Sequence, residues 1–218
     1  MTSDIPAGPS EARWVHVVDD DPLVREAVAA SLGAAGHLVT RHETGAAFLA
    51  GLDELAPGCI LLDIHMPGPD GIAVLEALQA RRNLSPVVVL TARHEIRLAV
   101  EAMKRGAFEF LNKPFTPGEL LGVLDDAFGR LSQISRDAAQ SLEAKARIQA
   151  LSGRELQVLQ GMMGGLPNKL IAYELDLSVR TVELYRGKVM DKLGVRALSS
   201  AVRLALAARA HPGVVIPR

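Results

Sequence analysis

The chain has one cysteine, Cys59. A single thiol excludes an internal disulfide and any cysteine-based metal site. Cys59 lies in an apolar run, where a thiol acts as a small inert hydrophobe. No apolar run approaches the length needed to cross a bilayer. The opening MTSDIPAGPSEA has neither a basic start nor an apolar stretch. It reads as a frayed terminus and not as a secretory signal. The cytoplasm is therefore the expected compartment, with no membrane partner. There is no internal repeat and no low-complexity tract. His16, His37, His42, His65 and His94 lack metal-ligand spacing, so packing or surface roles are expected of them.

Net charge is also nearly absent, at −1 over 218 residues. Its distribution is uneven. Residues 1–129 carry 18 acidic and 10 basic side chains, a net of −8. Residues 130–218 carry 7 acidic and 14 basic ones, a net of +7. An acidic half joined to a basic half points to two modules with different partners, and nucleic acid is the natural partner of the basic one.

What is present in the first half is alternation. Five short apolar runs recur: Trp14–Val18, Leu38–Arg41, Cys59–Leu62, Val87–Leu90 and Phe108–Leu111. The third and fourth are apolar throughout, as strands covered on both faces should be. Helical patterns separate them, at Pro22–Leu32, Gly71–Arg82 and Ile96–Arg105. A further helix opens at Thr116-Pro117-Gly118-Glu119, a capping box with proline at the first helical position. The pattern predicts an α/β, doubly wound, five-stranded parallel sheet. Residues 130–147 are polar and free of proline, and read as a helical linker. The remainder reads as all-α. Helices are expected after Ser152, after Gly164-Gly165, after Ser178 and over 197–210.

In a parallel doubly wound sheet, ligands bind beyond the carboxyl ends of the strands. Asp19 and Asp20 follow the first run, and Asp63 ends the third. Thr91 follows the fourth and Lys113 the fifth. Three carboxylates, a hydroxyl and an ammonium therefore share one rim. Carboxylates grouped this way call for a hard cation with oxygen ligands, and Mg²⁺ fits a site shared with phosphate. Asp21 directly precedes Pro22 and reads better as a helix N-cap than as a ligand. A flavodoxin-like cofactor binder of the same topology would need a Ser-, Thr- and Gly-rich loop after the first strand. The loop here is DDDP, which repels phosphate unless a metal intervenes.

The stretches VVDDDPLVREAV, LLDIHMPGPDG, VVVLTA and FLNKPF, in this order and spacing, resemble the receiver domain of two-component response regulators over residues 13–129. The resemblance implies roles. Asp63 would accept a phosphoryl group from a sensor histidine kinase. Asp19, Asp20, Asp63 and the backbone carbonyl of His65 would hold Mg²⁺. Thr91 and Lys113 would contact the phosphoryl group, and Thr91 and Phe110 would form the switch. A face including Val100 and Lys104 would dimerise on phosphorylation. The chain would be no enzyme beyond catalysing its own phosphorylation and dephosphorylation.

LPNKLIAYELDLSVRTVELYRGKVMDKLGV, Leu166 to Val195, resembles the LuxR-type helix-turn-helix, a tetrahelical DNA-binding module covering residues 148–211. Lys169, Arg180, Thr181, Glu183, Leu184, Arg186, Gly187 and Lys188 would then face double-stranded promoter DNA. Together the two halves resemble a FixJ-type response regulator. That resemblance implies transcription regulation, with activation the expected direction and RNA polymerase a further partner. The loop TARHEIR departs from the subfamily in lacking a glycine.

Overall fold

The computed structural model describes residues 12–92 and 96–209. The opening segment, the C-terminal tail, His94 and the middle of TARHEIR lie outside the described residues. The chain divides into two compact units between Ile134 and Ser135.

The first unit is a parallel sheet of five strands. They are β1 (Trp14–Val18), β2 (Leu38–His42), β3 (Gly58–Asp63), β4 (Val87–Ala92) and β5 (Glu109–Lys113), in the order β2-β1-β3-β4-β5. The helices are α1 (Pro22–Ala34), α2 (Gly45–Gly51), α3 (Gly71–Ala80), α4 (Ile96–Lys104) and the start of α5 (Pro117–Gln149).

Side chains of one strand alternate between faces, and the core divides accordingly. Ile60, Leu62, Val87 and Val89 pack with Phe48, Val74, Leu75, Leu78 and Ala102, from α2, α3 and α4. Cys59, Leu61, Val88 and Leu90 pack with Val28, Leu32, Leu120, Leu124 and Phe128, from α1 and α5. Every residue of β3 is buried, because the central strand has helices over both faces. The Cys59 thiol is pushed up by that burial to about 12, which keeps it protonated and inert.

Local chemistry fixes the ends. Asp21 caps α1 by accepting from Leu23 N at 2.8 Å, with Pro22 as the first helical residue. Thr116 and Glu119 form the expected reciprocal bonds at the start of α5. Gly71 opens α3 where the chain returns close to β3. A Cβ there would lie 2.5 Å from the Asp63 carbonyl oxygen. His16 is a buried packing residue. Its Nε2 donates to the Ala56 carbonyl at 2.9 Å, so Nδ1 accepts from the Thr40 hydroxyl at 2.7 Å.

Three sequence expectations shift. β4 and β5 end two residues further than the apolar runs, so Thr91 lies inside β4 and Lys113 is the last residue of β5, and neither lies beyond its strand. The seven-residue α2 is an additional element. Residues 130–147, expected as a helical linker, are helical, and from Ser135 onward they belong to the second unit. They are the last turns of α5, and Ser141, Ala144 and Ile148 are buried among residues of the second unit.

In that second unit α5 is joined by α6 (Gly153–Met163), α7 (Asn168–Leu175), α8 (Val179–Leu193) and α9 (Leu198–Arg209). Ala144 and Ile148 of α5 meet Ala201, Ala205 and Ala208 of α9, and Ser141 Oγ donates to the Ala207 carbonyl at 2.8 Å. Val158, Met162, Ile171, Ala172 and Val182 form the core between α6, α7 and α8. The turn between α7 and α8 uses Asp176 in the left-handed region at φ 53°, and Ser178 caps α8 by accepting from Thr181 N. Ser152 and Glu155 complete a capping box on α6.

Candidate functional site

The strand register builds an acidic site. Val18 pairs with both His42 and Leu62, and Asp63 pairs with Leu90. Asp19 and Asp63 therefore emerge side by side at the carboxyl edge. Ala92 pairs with Lys113, which brings the lysine to the same edge. Carboxylate oxygens of Asp19, Asp20 and Asp63 lie within 4.8 Å of one another. Lys113 Nζ donates to Asp19 Oδ2 at 2.7 Å and lies 3.2 Å from Asp63 Oδ2.

The three carboxylates are held differently. Asp19 is fully buried and every polar group it has is bonded. Its N–H donates to the His42 carbonyl at 3.2 Å, and its Oδ1 accepts from Asp21 N at 2.9 Å. Its carbonyl accepts from Arg25 Nη1 at 2.6 Å. Asp63 is buried, and the backbone of His65 donates to its carboxylate. Asp20 makes no hydrogen bond or ion pair among the described residues.

Burial pushes the Asp63 carboxyl above its ordinary pKa, with Lys113 opposing and Asp19 adding to the shift. For Lys113, burial works against the charge. Its bond to Asp19 and the attraction of both carboxylates outweigh that and raise its pKa. One ammonium faces three carboxylates, so the cluster keeps a surplus of negative charge. That surplus and the all-oxygen donor set fit a hard divalent cation.

Thr91, in β4, is 1% exposed, and its hydroxyl lies 3.5 Å from the Ala92 carbonyl. Phe110, in β5, is 38% exposed. It lines a groove of about 600 Å³ with Ala99, Val100, Met103, Lys104 and Asn112. The Lys113–Pro114 peptide is cis. Arg25 carries no signal in the sequence, because an arginine on an amphipathic helix is ordinary.

In the second unit, α8 carries Arg180, Thr181, Glu183, Leu184, Arg186, Gly187 and Lys188. Arg180, Glu183, Gly187 and Lys188 are exposed, and so is Leu184 at 63%. Thr181 and Arg186 are half-buried, and the Thr181 hydroxyl pairs with that of Ser178 at 2.8 Å. Glu183 makes no ion pair among the described residues, so its carboxylate is open to solvent. Lys188 Nζ sits 5.8 Å from the centre of the Tyr185 ring. Lys169 is exposed on α7. Tyr173, also on α7, is 85% exposed, and a lone tyrosine in a helical stretch gives no sequence signal of that. Lys192 belongs to a different task. Its Nζ donates to buried Glu155 at 2.7 Å. Lys192 and the Ser152 cap hold the Glu155 carboxyl down at about 2.

No helix among the described residues is long and apolar enough to cross a membrane. Residues 15–125 match the response regulator receiver domain family, and residues 149–205 match the luxR family of bacterial regulatory proteins. The transcriptional regulatory protein FixJ of Azorhizobium caulinodans is 44% identical over 93% of this chain and 96% of its own length. That of Bradyrhizobium diazoefficiens is 41% identical, covering 89% and 95%. Among solved structures, the response regulator StyR aligns with a TM-score of 0.76 at 37% identity, covering 90% of this chain and 99% of its own. Full-length FixJ from B. japonicum aligns at 0.58 and 40%, covering 91% and 98%. A parallel sheet with an acidic edge, a helix-turn-helix and matches along both halves lead to one conclusion: the chain belongs to the FixJ-like response regulators, two-component transcriptional regulators with a receiver domain and a LuxR-type DNA-binding domain.

Proposed function

We propose that Asp63 is the phosphoacceptor and that its phosphorylation controls DNA binding by the second unit. The observation that carries this reading is the convergence at the end of β3, where Lys113 Nζ lies within 3.2 Å of a carboxylate oxygen of both Asp19 and Asp63. A phosphoryl group leaves a kinase histidine as its P–N bond breaks, and an Asp63 oxygen forms the new P–O bond. Asp19, Asp20, Asp63 and the His65 carbonyl would hold Mg²⁺, which supplies charge neutralisation for the phosphoryl oxygens. Lys113 leaves its bridge between carboxylates and pairs with the phosphoryl group as a point charge. Thr91 donates its hydroxyl to a phosphoryl oxygen, and Phe110 moves from its exposed position toward the space that Thr91 vacates.

The face of α4, β5 and α5 then dimerises. Val100, Met103 and Phe110 already expose 48%, 39% and 38% of their surface there. Two DNA-binding units on one duplex gain affinity from effective concentration and suit a two-fold operator. Arg186, Lys188 and Lys169 contact phosphates, Glu183 and Leu184 read base edges, and Arg180, Thr181 and Gly187 complete the surface. The reading requires the cytoplasm, where the kinase, the promoter and RNA polymerase meet, with activation as the outcome.

The test is intact mass and light scattering on the full chain with Mg²⁺ and a small phosphodonor, beside Asp63→Ala. Wild type should gain one phosphoryl group and double in mass, and the variant should do neither. Labelling that persists in Asp63→Ala would remove the phosphoacceptor assignment. Labelling of wild type without a change in mass would remove the dimerisation step.

A further inference from the structure

We infer that Arg25 is a positioning residue for the metal-bearing carboxylate pair, acting through the peptide that joins Asp19 to Asp20. This rests on the reading that Asp19, Asp20 and Asp63 bind Mg²⁺.

Arg25 touches a backbone atom. Its Nη1 donates at 2.6 Å to the carbonyl oxygen of Asp19, not to a carboxylate. That carbonyl belongs to the planar peptide linking Asp19 and Asp20. Holding the oxygen fixes the plane, and with it ψ of Asp19 and φ of Asp20. Those two torsions set where the Asp20 side chain leaves the backbone relative to that of Asp19.

Asp19 needs no further help. His42, Asp21 and Lys113 already hold its N–H and both carboxylate oxygens. Asp20 has no such support. Its carboxylate is unpartnered among the described residues, so its direction is inherited from the backbone before it. Arg25 is also well placed to be firm. It lies on α1 beyond Asp21 and Pro22, and its own N–H bonds the Asp21 carbonyl at 3.0 Å. A side chain on a capped helix thus reaches back six residues and closes the loop that carries both acids. Because it takes a carbonyl, Arg25 itself occupies no carboxylate oxygen that a cation would use.

Charge alone predicts the opposite sign. Arg25 is a cation beside a site for a dication, so removing it should tighten Mg²⁺ binding by relieving repulsion. A positioning role predicts weaker binding. The two accounts therefore separate in a single measurement.

The experiment is calorimetric titration of the full chain with MgCl₂, without phosphodonor, on wild type, Arg25→Gln and Arg25→Lys, each with its melting temperature. Arg25→Gln should weaken Mg²⁺ binding about tenfold, the scale of one hydrogen bond to a charged group. Arg25→Lys, which still reaches the carbonyl but without a planar fork, should fall between it and wild type. In phosphodonor labelling, half-maximal Mg²⁺ should rise by the same factor, while the rate at saturating Mg²⁺ stays within about twofold of wild type. Unchanged or tighter binding in Arg25→Gln overturns the role, even if the melting temperature falls. If Arg25→Gln does not fold, the lysine variant decides: weaker binding supports the role and wild-type affinity overturns it. No Mg²⁺ binding by wild type overturns the metal reading itself, an outcome that the wild-type titration alone identifies.

Discussion

Each unit contains a lysine bonded to a buried carboxylate at 2.7 Å, and the two bonds have opposite purposes. In the second unit, Lys192 meets Glu155, whose other bonds go to the start of its own helix. One cation meets one anion, and the Glu155 pKa falls to about 2. In the first unit, Lys113 meets Asp19 with Asp63 close by and Asp20 adjacent. One cation meets three anions, and burial raises the Asp63 pKa. Bond length does not distinguish a brace from a latch. The charge left over does. A balanced pair has nothing to gain from a new ligand, whereas an unbalanced cluster gains from any hard cation that enters.

The contrast is most severely tested at the brace. Glu155→Gln should destabilise the protein more than any change at Lys113 or Glu143, read as a lower melting temperature of the full chain, because Lys192 loses its ion-pair partner and the capping bond from Ser152 N loses its charge assistance. Its pH dependence follows from the sign of the shift. A carboxylate whose folded pKa is depressed contributes in full above its unfolded value of 4.5 and loses that contribution as pH falls through about 2. The gap between wild type and Glu155→Gln should thus be constant from about pH 7 to about pH 5 and close on further acidification. A gap that widens in acid would reverse the assignment.

The latch should respond the other way. Lys113→Gln removes the cation that competes for Asp19 and Asp63, so Mg²⁺ affinity should rise about tenfold in calorimetry, the scale expected for one nearby charge in a partly screened site. The same variant should label poorly with phosphodonor. Weaker Mg²⁺ binding would mean that Lys113 orders the site more than it competes for it. The smallest effect is expected at the shortest of these bonds, Arg147–Glu143 at 2.6 Å, where Glu143 is 63% exposed. Glu143→Gln should change stability by less than about 0.5 kcal/mol in denaturant unfolding, because water screens the pair. A larger loss would show that exposure is the wrong yardstick.

How much of this can be read in the sequence depends on burial. β3 and β4 declare themselves because central strands are apolar on both faces. β5 does not show its full length, because Glu109 and Asn112 interrupt the apolar signal on an edge strand. α2 escapes because seven residues, GAAFLAG, give too few turns for a helical period, although Phe48 is fully buried. The last turns of α5 resemble a polar linker for a chemical reason. Their buried face is Ser141, Ala144 and Ile148, and small residues that let helices approach closely carry little hydrophobic signal. The acids and Lys113 are legible because strand ends in a parallel sheet converge. The partner of Asp19 on α1 is not, because a bond to a backbone carbonyl leaves no mark on residue type.

Gly71 shows how far the reach of Asp63 extends into silent sequence. A methyl group there would press, at 2.5 Å, on the carbonyl of the residue proposed as the phosphoacceptor. A survey of single substitutions would therefore score Gly71→Ala among the inactive variants, beside changes at Asp63 itself. Yet it alters no charge, removes no hydrogen-bonding side chain and touches no reacting atom. In such a survey, the map of lost activity would be wider than the map of catalytic groups by the backbone on which those groups stand.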